Sequence, residues 1–203
     1  FYYGIKVNQG ERGAFESVST SEMYDVTGHS LYEKTVFGLA VVTDARGVQL
    51  GTLEEFQRNK IDIDGNKGWY RRFSRGNESN FVPTSLFRTA LLVNTYTPGI
   101  SDCEPLGKSY LYALNAFNGL PDASLGNLVR NTSDTTNVGS DTYTKVEEIY
   151  GEVDGVVTNV SLTGNESGYI SASTGELKSQ EYDVPPTPGG RRSWQEVPLD
   201  MVR

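Results

Sequence analysis

Apolar and polar positions alternate over short stretches along much of this chain, with the two-residue period of β-strands. The pattern is clearest between residues 67 and 119. Lys67-Gly68-Trp69-Tyr70-Arg71-Arg72-Phe73 forms a first run, residues 81–98 a second and residues 109–119 a third. Turn chemistry separates the three, which predicts a meander of adjacent antiparallel strands. Leu91-Leu92-Val93 places apolar side chains in succession, as a strand covered on both faces does. Tyr110, Tyr112 and Leu114 alternate with smaller residues, and Asn118-Gly119 ends the run on a strong turn signal.

The flanking segments extend the pattern. Residues 1–7 alternate and predict a strand, followed by a turn over residues 8–13. Residues 14–28 are mixed and polar, with room for a short helix around Ser21 to Tyr24. Residues 31–43 are apolar and β-branched, predicting a strand or a strand pair broken near Gly38. Leu53-Glu54-Glu55-Phe56-Gln57-Arg58 suits one or two helical turns, too short a run to carry a fold. Residues 120–141 are rich in Asn, Ser, Thr, Asp and Gly and read as a long polar surface excursion. Strands resume over residues 142–150 and 153–162, around a turn at Asp154-Gly155, and residues 168–177 read as strand, turn, strand. Pro185, Pro186 and Pro188 stop regular structure, and the basic-then-aromatic tail around Arg191, Arg192 and Trp194 is expected to be pinned to the body by Trp194. The domain reading is therefore one strand-rich unit over residues 1–184 and a Pro/Gly-rich tail over residues 185–203.

The stretch Tyr112-Ala113-Leu114-Asn115-Ala116-Phe117-Asn118-Gly119 has a counterpart in Tyr169-Ile170-Ser171-Ala172-Ser173-Thr174-Gly175, about 56 residues later. Recurrent strand–turn units of this kind mark propeller blades in sequence. Composition agrees with an all-β fold. In 203 residues there are 22 Gly, 12 Tyr, 8 Phe and only 2 Met, with 36% hydrophobic residues, enough to build a core. A net charge of −8 argues against a nucleic-acid backbone as partner. The longest apolar candidate, residues 36–42, is strand length and far short of the roughly 20 residues that cross a bilayer as a helix, so an integral membrane protein of the helical kind is not expected. The chain opens on Phe1 with neither an initiator Met nor a signal peptide, as a processed product or a cut piece does.

Candidate chemistry is sparse. Asp62-Ile63-Asp64-Gly65-Asn66 resembles the opening of a calcium loop, in which alternate oxygen-bearing side chains converge across a Gly turn. If calcium binds, Asp62, Asp64 and Asn66 are its side-chain ligands. No acid follows at the closing position, and an Asx turn leading into the Trp69 strand is the simpler reading. Glu147, Glu148, Glu152 and Asp154 form an acidic cluster that reads as solvated surface. His29, the only histidine, sits in a turn-like context and receives no role. Cys103, the only cysteine, is either a free loop thiol or paired with a cysteine outside the chain. Asn-x-Ser sequons at Asn77, Asn131, Asn159 and Asn165 are unremarkable in a chain this rich in Asn, Ser and Thr.

Six blocks in order then resemble a known family. They are Phe1-Tyr2-Tyr3-Gly4-Ile5; Lys67-Gly68-Trp69-Tyr70; Asn94-Thr95-Tyr96-Thr97-Pro98 with Asp102-Cys103; residues 109–119; residues 168–175; and Gly190-Arg191-Arg192-Ser193-Trp194-Gln195-Glu196. Together they resemble the C-terminal region of the PilC/PilY family of bacterial type IV pilus assembly and tip-adhesion proteins. The resemblance implies antiparallel blades of a β-propeller in an incomplete ring of about two to four blades, at roughly 40–50 residues each. It also implies no catalysis, an extracytoplasmic place at the pilus tip or cell surface, and a partner for Cys103 outside this chain. Its calcium-binding propeller loop is the family feature that Asp62, Asp64 and Asn66 match in part. Minor pilins, the rest of the propeller and host surface ligands are the partners it implies. Residues 109–119 also resemble blades of quinoprotein dehydrogenases, and a lectin-like carbohydrate binder using exposed Tyr and Trp is a further alternative.

Overall fold

The computed structural model describes residues 2–5, 18–34, 39–63, 66–73, 75–80, 82–99, 107–123, 125, 129–162 and 167–181. Among them the fold is all-β, built of four small, mainly antiparallel sheets. The strands in chain order are β1 (Tyr2–Ile5), β2 (Tyr24–Asp25), β3 (Ser30–Glu33), β4 (Ala40–Thr43), β5 (Gln49–Thr52), β6 (Gly68–Arg71), β7 (Ser79–Asn80) and β8 (Ser85–Phe87). They continue as β9 (Ala90–Thr97), β10 (Lys108–Asn115), β11 (Arg130–Val138), β12 (Asp141–Val146), β13 (Ile149–Asp154), β14 (Val157–Leu162), β15 (Ser167–Ala172) and β16 (Leu177–Glu181). The first sheet runs β1-β6-β2 and the second β13-β10-β9-β7, with β8 also on β9; the third runs β11-β12-β3-β4-β5 and the fourth β14-β15-β16.

The β9–β10 pair shows how the residue pattern makes the fold. Its register runs without a slip from Lys108 opposite Thr97 to Asn115 opposite Ala90. Side chains alternate between faces along each strand. Leu92, Leu111 and Ala113 therefore enter the main apolar cluster, while Val93, Tyr112 and Leu114 form a second one with Phe73, Leu91, Tyr110 and Ile149. The sheet has apolar cover on both faces, as its succession of Leu and Val predicted. The main cluster draws on all four sheets: Val42 and Val146 from the third, Trp69 from the first, and Val157 and Ile170 from the fourth. Each such side chain taken from water stabilises the fold by about 1.5–3 kcal/mol, and together they hold the sheets in one body.

Several predicted elements are where the pattern put them. The 31–43 run is the β3–β4 hairpin, with Leu31 opposite Val42. The short helix near Ser21 is a 3₁₀ turn (Thr20–Glu22) capped by Ser19 and Glu22. The segment after residue 52 is one helical turn, α1 (Leu53–Phe56), started by a Thr52/Glu55 capping box and continued by a wider turn, Gln57–Ile61. Asp154-Gly155 is the turn between β13 and β14, with Gly155 at φ +80.

Two expectations change. The three runs of residues 67–119 are not one meander. β6 leaves the second sheet and pairs antiparallel with β1 and parallel with β2, while short β7 and β8 take its expected place beside β9. Trp69 draws β6 away, because its indole lies between Gly4 of β1 and Gly119 at the end of the β10 turn, and a Cβ at either glycine would overlap the ring. The polar stretch 120–141 is not a surface excursion throughout. Leu120, Leu125 and Val129 are fully buried, and β11 pairs with β12 as an edge strand. An edge strand with one wet face needs few apolar residues, so its Thr-rich sequence reads as loop.

Candidate functional site

The most developed polar feature among the described residues is a cleft of about 210 Å³ where the first, second and third sheets meet. Arg71, the last residue of β6, reaches into it with only 4% of its surface exposed. Its Nη1 donates to the carbonyls of Val26 and Gly119, each at 3.2 Å, and its Nη2 donates to Glu148 Oε2. One guanidinium thus ties the loop after β2, the turn after β10 and the β12–β13 link. Burial brings Arg71 down to about 10, which leaves it a cation at neutral pH. A buried charge persists only with such partners, and the fork of the guanidinium suits three acceptors at once.

Glu148 is therefore the counter-ion of a buried arginine rather than solvated surface. Its backbone carbonyl also accepts from Ala113 N–H at 2.8 Å, so the acid sits on a fixed segment. Glu147 is engaged too. Its Oε1 accepts from Asn131 Nδ2 at 2.8 Å and lies 3.8 Å from Lys145 Nζ, which pairs with Asp134 at 3.0 Å. Glu152 and Asp154 remain exposed, as the sequence reading has it. Only half of the acidic cluster is solvent decoration.

His29 also lines the cleft. Its ring packs edge-on against Tyr24, with centroids 5.6 Å apart, and tilts over Phe56 at 5.9 Å. Burial pushes the imidazole below its ordinary value and the Arg71 charge adds to this, against the opposing pull of the Thr27 carbonyl. Beside it, Asp25 accepts from Thr27 N–H and from Tyr70 Oη, each at 2.9 Å. These bonds, with the Arg72 charge, hold its carboxyl below the usual range although burial opposes them.

A second network caps the far face of β9–β10. Arg75 lies 4.0 Å from the centre of the Tyr110 ring and donates to Tyr112 Oη at 2.9 Å. Tyr112 Oη donates to Glu78 Oε1 at 2.6 Å, and the Thr95 hydroxyl donates to the same oxygen. Burial first, and then the bond to Glu78, pushes the Tyr112 phenol well above its ordinary value. Both networks join segments far apart in sequence.

The sequence-predicted ligands fare as follows. Asp62 is exposed, and its Oδ1 accepts from Gln57 Nε2 at 3.1 Å. Asn66 Oδ1 accepts from Gly68 N–H at 3.0 Å, which is the Asx turn, while its Nδ2 donates to the Lys60 carbonyl at 2.6 Å. Both side chains are engaged within the turn, and Asp64 lies outside the described residues. Among the described residues no group of three or more His, Cys, Asp and Glu comes together. Cys103 and Trp194 also lie outside them. No helix among the described residues is long and apolar enough to cross a membrane. Arg71, Glu148 and the Gly4–Trp69–Gly119 stack escaped the sequence reading. The one signal for them was that Gly4, Trp69 and Gly119 each belong to a block of the resemblance.

No protein-family profile matches this chain, and no curated protein matches it. Among solved structures, the crystal structure of the Pseudomonas aeruginosa PilY1 C-terminal domain aligns over 91% of this chain at 14% identity, with a TM-score of 0.48. The chain spans 37% of that domain's length.

Proposed function

We propose that this chain is a segment of a PilC/PilY-like β-propeller, acting without catalysis as a stiff platform in type IV pilus assembly and in attachment at the pilus tip. The observation that carries the reading is the contact among Gly4, Trp69 and Gly119. Three of the six blocks behind the family resemblance, distant in sequence, meet there in one packed stack. The indole N–H donates to the Ala116 carbonyl at 3.3 Å, so the strand–turn unit of residues 109–119 is locked to the first sheet. The contact supports the reading because it joins three of those blocks in one stack. The small, mainly antiparallel sheets have three to five strands, against the four of a propeller blade.

In this reading the polar networks around Arg71 and Tyr112 fix the sheets against one another and carry no chemistry on a substrate. Partners are minor pilins, the remainder of the propeller and, at the tip, surface ligands of a host. Docking by strand addition suits the fold, because β11 is an edge strand among the described residues. The place of action is extracytoplasmic. Co-purification with minor pilins from cells whose pili are kept intact tests the reading.

A further inference from the structure

The two strand–turn copies close with the same kind of bond pair around turns that differ by one residue, and they have different surroundings. In the first, Asn115 N–H donates to the Leu120 carbonyl at 2.7 Å and Gly119 N–H to the Asn115 carbonyl at 2.8 Å. In the second, Ala172 N–H donates to the Glu176 carbonyl and Gly175 N–H to the Ala172 carbonyl, both at 3.0 Å. Both glycines are left-handed, at φ +69 and +83. Gly119 carries the Trp69 ring on its open side, whereas among the described residues nothing lies within 4 Å of where a Gly175 Cβ would stand.

The strand face beside Gly175 is also uncovered. Ser171 faces Leu177 and Tyr169 faces Ser179, so Tyr169 and Leu177 share one face of the β15–β16 hairpin. They are 48% and 68% exposed, while Ile170 and Ala172 on the opposite face are buried in the core. The sheet has three strands, and β16 is its outer edge among the described residues.

We propose that this face is the docking seat of the chain's own C-terminal segment, with Trp194 taking at Gly175 the place that Trp69 takes at Gly119. The chain has two tryptophans, and the first is already seated. Beyond β16 the sequence carries Pro185, Pro186, Pro188, Gly189 and Gly190, residue types that favour turns, and then Arg191-Arg192-Ser193-Trp194-Gln195-Glu196-Val197, a composition that suits an extended segment. The reach is sufficient. Running back along β16 covers about 17 Å, and the residues from 182 to 194 span up to about 45 Å when extended. Charge agrees: Arg191 and Arg192 precede the tryptophan, and Glu176 is exposed beside the seat. A large flat ring on a side-chain-free turn buries much area at little entropic cost.

The test is acrylamide quenching of tryptophan emission on the full chain, with the Trp194 component obtained by difference from a Trp194→Phe variant. The expected result is a Trp194 emission quenched several-fold less than free tryptophan. Gly175→Glu, which fills the seat, and Leu177→Ser, which strips the face without straining the turn, should each restore free quenching. The Trp69 component reports folding in every sample and should stay protected in both. Free quenching of Trp194 in the unmodified chain would overturn the proposal. So would protection that survives Leu177→Ser in a folded protein, or protection that grows with protein concentration, which would put a second copy in the seat.

Discussion

Trp69 shows how much of this fold hangs on a few side chains. Its ring fills the space that glycines 4 and 119 leave open, and its N–H finds a carbonyl partner, as a buried indole requires. Gly119→Ala should be costly on two counts. A φ of +69 costs a residue with a side chain about 1–2 kcal/mol, and forcing a methyl into the ring adds about 1–3 kcal/mol. Gly139→Ala shares the left-handed backbone, at φ +64, with nothing within 4 Å among the described residues, so it should lose only the first part. Urea unfolding of the two variants separates the terms. His29 offers a second test. Half-buried against Tyr24 and Phe56, it has a folded value below the roughly 6.5 of an unfolded chain. The unfolded state binds its proton first, so this contribution to stability is present above about pH 6.5 and is lost as pH falls through the folded value. His29 is the only histidine, so His29→Gln should flatten the fall in the urea midpoint between about pH 7 and pH 5 relative to the parent. An equal slope in both proteins would remove His29 from the account.

Strands and their contacts were legible to different depths. The alternation in β9 and β10 is strict enough to show both faces covered, because each second side chain meets a different apolar cluster. The β3–β4 hairpin and the Asp154-Gly155 turn were equally open to reading, since turn chemistry and β-branched runs are local. The partner of β6 was not, because Trp69 chooses it through glycines 65 residues before and 50 after. Arg71-Arg72 and Glu147-Glu148 look alike in sequence, yet one member of each pair is exposed or turned to other partners and the other forms the Arg71–Glu148 pair. No local pattern distinguishes a buried arginine from its neighbour. That pair joins three sheets, and Glu148→Ala would leave Arg71 buried with carbonyl acceptors alone, at an expected cost of about 3 kcal/mol. Arg71→Met combined with Glu148→Leu should lose much less than the sum of the two single changes, and chemical denaturation of Arg71→Met, Glu148→Leu and the double variant measures the coupling. Additive losses would mean that the pair does not act as a unit.

Among the described residues, four small sheets of three to five strands share one apolar cluster, with polar networks at their junctions. Such a body offers a packed core and exposed strand edges, which the proposed role as a platform would use. Edges like β11 are kept from random pairing by their polar side chains, Thr132, Ser133 and Asn137 among them, and stay open to a specific strand. The most direct measurement is affinity capture of the tagged protein from cells extracted so that pili stay intact, with mass spectrometry of what comes along. Enrichment of minor pilins over the major pilin, lost when the cells lack minor pilins, is the predicted result. Capture of no pilin at all, in an extract whose pili are demonstrably intact, would contradict the account.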